Sequence, residues 1–445
     1  MGYRVSSKTK GFLALLLLLF CFRLGFGLCS EFWSDDDTKQ IYLIGLKFYT
    51  THQWPYFGPD VDYSLQSPLV QIPGALQGVL VGAPFFVLPI PEAPFILLNI
   101  LSFAGLCLLA WYCARRLPEV PAWIIWAWLL TAPWTLDFST HPVNTSYVLF
   151  GAILFFVAAL ETYPFLTKNL LPIKWANFMM GFALFWVMQL HMSWPILLPF
   201  LFLSFYFQYR KSVLSLWRAL AWFALGAILT GSLLLPTFFK YGLHQGLGGA
   251  DTALTFNARN LLKFINPVEG ILGRFLSYAS FEVPRFLGPH TIQRLAFLKE
   301  HPWIIPFAVF LGVAGILQPI AMFFLWFLKK DSGQDWQHIK YFTLATVCLL
   351  YVSFLFTNRT PQAHTFYLVL PIAMIYSFYC WSAFLVKKRW RLFIKIFLAC
   401  GIIFHTGLAL HKFSRESLYV DHNAVQSAID RKDYTLVGER RPGAR

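Results

Sequence analysis

The chain has 445 residues, of which 57% are hydrophobic, 19% aromatic and 13% charged, with a net charge of +15. Soluble domains are about one-quarter charged, so this composition excludes a disordered chain, a collagen, a secreted disulfide scaffold and an ordinary soluble enzyme, and points to a polytopic membrane protein. The excess Lys and Arg fall between hydrophobic runs with no nucleic-acid motif beside them, which assigns them to membrane topology and lipid headgroups and not to nucleic acid.

A spanning helix needs about 20 mostly apolar residues. In chain order, such stretches lie near 11–29, 93–113, 121–137, 145–163, 174–192, 195–209, 219–235, 303–328, 341–357, 364–386 and 391–411, which predicts an all-α bundle of eleven spans. The first reads as an anchor and not a cleaved signal, because Arg23 interrupts it late, no A-x-A site follows and Cys29 lacks a lipobox. The seven cysteines lie in or beside hydrophobic runs without a C-x-x-C pair, so they read as packing residues.

Orientation follows from the short loops. With the N-terminus inside, eighteen Lys and Arg residues fall in inner segments, including Arg115, Arg116, Lys168, Lys174, Lys329, Lys340 and the run Lys387 to Lys395. The short outer turns 138–144, 191–195 and 357–363 hold only Arg359. The inner face is expected to show only basic loops. Residues 1–411 then form one membrane domain, with long outer loops at 30–92 and 236–302 and an outer tail at 412–445. In the first loop Ile41, Ile44, Phe48 and Tyr49 share one helical face, and Ile72, Leu76, Val79 and Leu80 another, which predicts two interfacial helices. The second loop opens with Gly242, Gly246, Gly248 and Gly249. It reads equally as a mobile lid or as an ordered surface loop.

The polar residues gather at the outer side. Asp35, Asp36 and Asp37 follow the first span. Adjacent carboxylates raise one another's pKa, which suits a general base, and two of them can hold a divalent cation. On local grounds alone they are more often caps of the helix that follows. Arg23 and His52 flank the triplet in the chain, Asp137, His141 and Asn144 lie between the third and fourth spans, His191 lies at the next outer turn, and Arg359 and His364 enter the tenth span. Taken singly, each is more often an interface anchor than a ligand-binding group. An acid beside cations at a membrane edge suits attack of a hydroxyl on a sugar linked to a lipid phosphate: the acid takes the hydroxyl proton, and Arg and His stabilise the departing phosphate. No Walker loop, G-x-S-x-G elbow or H-E-x-x-H occurs, which removes support for ATP hydrolysis, serine hydrolysis and zincin chemistry.

Four stretches in order carry a resemblance: the acids 35–37 followed by Ile41-Tyr42; Trp54-Pro55-Tyr56-Phe57-Gly58-Pro59 with Ser67-Pro68-Leu69; His141-Pro142-Val143-Asn144-Thr145-Ser146; and Arg359 to His364 followed by Tyr367 and Pro371. Across about 11–411 the chain resembles the GT-C glycosyltransferase superfamily, in particular the bacterial relatives of protein O-mannosyltransferases and of the lipid A aminoarabinose transferase. The resemblance implies a GT-C-like bundle in the bacterial cytoplasmic membrane with its site facing outward. It also implies a polyprenyl-phosphate sugar as donor, a cell-envelope acceptor, and Asp36 as acceptor-activating acid, with Asp37 and Asp35 as register alternatives. The family's second acid is replaced by Asn144, with Asp137 nearest. The alternative is a transporter or flippase of lipid-linked glycans, which is expected to show repeats and midplane charge.

Overall fold

The computed structural model describes residues 7–30, 36–60, 70–248, 256–258, 260, 268–287, 291–329, 334–356 and 363–434. Apart from one two-stranded ribbon, the described chain is helical. In order the elements are α1 (Ser7–Ser30), α2 (Asp36–Thr51), β1 (Phe57–Asp60), β2 (Gln71–Pro73), α3 (Leu76–Val87), α4 (Ala93–Arg116), α5 (Ala122–Thr131), α6 (Pro133–Thr140), α7 (Asn144–Thr162), α8 (Ile173–Met188), α9 (Leu198–Lys211), α10 (Val213–Gly231) and α11 (Leu235–Gly246). They continue with α12 (Thr291–Glu300), α13 (Ile305–Leu328), α14 (Gln334–Phe354), α15 (Leu370–Leu385), α16 (Lys388–Phe413) and α17 (His422–Arg431).

Seven of the described helices are long and apolar enough to cross a membrane: Thr9–Ser30, Ala93–Arg116, Thr145–Thr162, Val213–Gly246, Pro302–Leu328, Phe366–Leu385 and Lys388–Arg431. The chain is an integral, polytopic membrane protein. The other four expected spans fall on the broken pair α5–α6, on the shorter α8 and α9, and on α14. α7 and α15 are apolar all round and form the centre. α1, α10 and α13 bury one side only and expose residues such as Leu17, Ile228 and Val313. Lipid tails are as apolar as leucine, so helix pairs associate through close backbone approach at small residues. α8 and α10 meet this way: a Cβ on Gly181 would lie 2.0 Å from Phe223 O, and one on Gly226 2.0 Å from Phe178 O.

The helix ends sort into two ends of the bundle. At one, Arg116 ends α4 and Glu161 lies in the last turn of α7, Asp335 accepts from Thr167 N at 3.0 Å, Lys329 Nζ donates to Ser382 Oγ at 3.1 Å, and Lys395 lies 5.6 Å from the Trp123 ring. The loops rich in Lys and Arg do share this end. They are not only basic, which corrects the expectation for this face. Glu161 is fully buried against Arg116 and accepts from Leu170 N and from Leu171 N at 3.0 Å, and Asp335 lies 4.0 Å from Arg116.

The other end carries the 30–92 segment. Its two predicted helices exist as α2 and α3, but the buried face of α2 is Ile41, Tyr42 and Leu46, and Ile44, Phe48 and Tyr49 are only half-buried. The rotation follows from Gly45, whose Cβ would lie 2.4 Å from Val81 Cγ1, so α3 seats directly on that glycine. Ile72 lies in β2 and not in a helix; the ribbon pairs Phe57 with Pro73 and Asp60 with Gln71. The chain after α16 folds back here: Leu418, Val425 and Ile429 share a core with Tyr42, Phe85 and Phe95, and His422 Nε2 meets Glu92 Oε1 at 2.9 Å.

The 236–302 segment departs furthest from expectation. Gly248 O accepts from Gln71 N at 2.8 Å, which ties its first part to the ribbon. Its described middle is neither lid nor surface loop. Residues 275–281 and Val283 are buried, and Glu282 half-buried, midway along the bundle: Trp128 Nε1 donates to Ala279 O at 3.3 Å, the Phe281 ring is 4.6 Å from that of Phe397, and Cβ atoms on Gly315 and Gly401 would lie 2.4 Å and 3.1 Å from Phe281. Non-helical backbone is tolerated at such depth only inside protein. Gln318 of α13 meets part of that requirement, its Oε1 accepting from Phe281 N at 2.9 Å. The insertion also carries the carboxyl residue Glu282 to the level of Gly315.

Candidate active site

The candidate residues divide into those the bundle gathers at the α2 end and those it uses elsewhere. Arg23 belongs to the second group. Pro133 has no N–H for Leu129 O, so the helix breaks between α5 and α6. Thr135 Oγ1 donates to Leu129 O at 2.7 Å. Arg23, fully buried on α1, donates to Leu130 O at 3.0 Å, Thr135 O at 2.9 Å and Ser139 Oγ at 2.6 Å. It clamps the break. His52 flanks the acids only in sequence. It ends α2 in the left-handed conformation (φ 55°), with its N–H on Phe48 O at 3.0 Å and its ring stacked on Phe86 at 5.7 Å. A 16-residue helix separates it from Asp36 by about 24 Å.

Asp137 and His141 are brought together. His141 Nδ1 lies 4.0 Å from Asp137 Oδ1, and Nε2 lies 2.9 Å from Ser30 Oγ at the end of α1. Ser30 gives its own proton to Phe26 O at 2.5 Å, so it accepts from Nε2. Phe26 stacks on the imidazole at 5.9 Å and meets His405 edge-on at 5.4 Å. Burial, and then the charge of Lys412, push His141 down to about 3, with Asp137 opposing them. At neutral pH the imidazole is therefore uncharged.

This has a measurable consequence. Unfolded, His141 takes a proton below about pH 6.5; folded, it does so only near 3. Its contribution to stability is present above 6.5 and is lost as the pH falls from there towards 3. The unfolding temperature is expected to drop between pH 7 and pH 5, and His141→Gln, which keeps a donor for Ser30, is expected to flatten that slope. Equal slopes in the two proteins would reject the assignment.

His191 sits in the turn after α8. Its Nδ1 accepts from Ser193 N at 3.1 Å, which leaves the proton of the neutral ring on Nε2. The acids lie at the start of α2: Asp36 and Asp37 open the helix, and Asp35 lies outside the described residues, as does Arg359. Asn144 opens α7 and His364 the 3₁₀ turn Ala363–Val369. Tyr367 of that turn is buried and donates to Trp134 O at 3.0 Å, joining this segment to α6.

Sequence reasoning missed three groups here. Lys412, in the last turn of α16, bears on both Asp137 and His141. Asp60 is buried in β1 and accepts from Gln40 Nε2 at 2.8 Å and Gln71 Nε2 at 2.9 Å; position 40 lies one turn beyond 36 and 37 on α2. Glu300, His301 and His411 converge with their ligand atoms within 4.8 Å of one another, a set that could hold a metal ion. The only sequence signals were the adjacent Glu300-His301 pair and the run 411–415 at a span end.

No family model and no curated protein matches the chain. Among solved structures, the crystal structure of ArnT from Cupriavidus metallidurans bound to undecaprenyl phosphate is similar over 95% of this chain and 77% of that one, at 12% identity and a TM-score of 0.49. At that distance the likeness decides neither fold nor chemistry.

Proposed function

We propose that the protein is a membrane glycosyltransferase of GT-C type that moves a sugar from a polyprenyl-phosphate carrier to an acceptor in the cell envelope. The observation that carries this reading is the acidic start of α2 at the same end as Asp137, His141 and Lys412, opposite the end rich in Lys and Arg. By the positive-inside rule that end faces outward, in a bundle of eleven spans in a bacterial cytoplasmic membrane. The acceptor oxygen attacks the anomeric carbon, the carbon–oxygen bond to phosphate breaks, Asp36 takes the hydroxyl proton, and the carrier phosphate leaves with the charge. Asp37 and Asp35 flank the base, and a divalent cation bound there would neutralise the departing phosphate.

Arg359 and His364 are assigned to the donor phosphate. Arg359 runs against the charge bias of the outer turns, and guanidinium pairs with phosphate through two parallel bonds. The test is release of polyprenyl phosphate by purified protein in vesicles supplied with lipid-linked sugar and envelope lipids. Arg359→Ala is expected to lose about a hundredfold in transfer, in line with a lost charged hydrogen bond. Arg359→Lys should keep part of the activity. Unchanged donor affinity and rate in Arg359→Ala would leave that residue as a headgroup anchor.

The inserted 275–283 segment favours one second reading, because Glu282 at mid-depth is where a transporter of lipid-linked glycans would place an acid. Under that reading Glu282→Gln abolishes flipping of labelled carrier in vesicles, and no sugar is transferred.

A further inference from the structure

At the α2 end, on the far side of α16 from its contact with α1, Glu300 ends α12, His301 begins the turn into α13, and His411 lies in the last turn of α16. His301 Nε2 and His411 Nδ1 face each other at 2.8 Å, and Glu300 Oε2 lies 3.6 Å from His411 Nδ1. Both rings pack on the buried Phe297, at 5.4 Å and 4.8 Å, which holds their nitrogens in this opposition. Arg415, half exposed, donates to the same Glu300 oxygen at 2.9 Å.

Two facing imidazole nitrogens can share only one proton as neutral rings. A metal ion resolves the opposition by taking a lone pair from each. Zinc–nitrogen bonds of about 2.0–2.1 Å place two tetrahedral ligands about 3.3 Å apart, so the rings need part by only about half an ångström. Two imidazoles and a carboxylate are a donor set for Zn²⁺; magnesium and calcium prefer all-oxygen shells. Glu300 is 43% exposed, so water reaches the fourth position.

We propose that Glu300, His301 and His411 form a Zn²⁺ site that staples the α12–α13 corner to the end of α16. Binding shifts the donor ring's proton to its nitrogen facing away from the metal, so that both imidazoles bind as neutral ligands, and displaces the Arg415 guanidinium from Glu300 into solvent. The site closes the segment between the inserted 275–283 stretch and α13 onto the helix whose continuation covers α2 and α4. It is independent of the sugar-transfer reading and of the acids 35–37.

The test uses the purified full chain in detergent, stripped of metal, with Co²⁺ as spectroscopic probe and Zn²⁺ as competitor. One equivalent is expected to give visible ligand-field bands. Zn²⁺ displaces it and raises the unfolding temperature, whereas Mg²⁺ does neither. His301→Gln and His411→Gln should each weaken binding by about a hundredfold or more, at or beyond what loss of an outer-shell partner costs. Should those variants fail to fold, the two charged residues carry the test. Glu300→Gln weakens binding, and Arg415→Gln tightens it severalfold by freeing the carboxylate. Absence of saturable binding to the wild type, affinity unchanged in both histidine variants, or no change in either Glu300→Gln or Arg415→Gln overturns the proposal.

Discussion

Asp36→Asn is expected to lower sugar transfer by about 10²–10⁴-fold, the usual contribution of a general base, with expression and unfolding temperature near those of the wild type. The carboxamide keeps the size of the side chain and its ability to accept from backbone N–H groups in the first turn of α2, so a role in capping survives the change. What it cannot do is take a proton. A purely capping acid therefore predicts near-normal turnover, and a base predicts the loss. Asp37→Asn and Asp35→Asn locate the register, since only the true base should give the full drop. Turnover within about twofold of wild type in all three variants would reject the acid's catalytic role and leave the transport reading in its place.

The largest expected effect on stability lies at the opposite end. Glu161→Ala should destabilise the protein by about 3–5 kcal/mol, the range for removing one partner of a buried pair. Glu161 is fully buried, bonded to Arg116, and receives the N–H groups of Leu170 and Leu171. Truncation leaves a buried guanidinium and two backbone donors without their acceptor. Combining it with Arg116→Met is expected to recover much of the loss, because the uncompensated charge goes with the arginine. Denaturation of the two single variants and the double variant in one detergent measures this coupling. A Glu161→Ala protein within about 0.5 kcal/mol of wild type, the range of an ordinary surface change, would show that the pair contributes nothing.

Hydropathy and charge are properties of contiguous residues, and what depends on them was legible in the chain. Seven of the expected spans coincide with helices long and apolar enough to cross a membrane, the loops rich in Lys and Arg shared one end, and the helices after Asp35 and after Pro73 existed, because an apolar run about 20 residues long has few other ways to satisfy its backbone in lipid. The rest depended on partners far away in sequence. The carbonyls and the hydroxyl that Arg23 meets come from α5 and α6, more than a hundred positions on. Which face of α2 is buried was decided by Val81 of α3 against Gly45, where hydrophobic periodicity alone favoured a neighbouring face. The 275–283 stretch looked like part of a loop because it is too short to span. Trp128, Gln318, Gly315 and Gly401, drawn from three different helices, make the cavity and the acceptor that let it lie at mid-depth. Glu161 and Arg116, like His301 and His411, meet only because helices separated in the chain end at the same level. A buried charge or an inserted loop is stable only when its complement is already in place, and that complement is set by tertiary packing and not by the sequence around the residue itself.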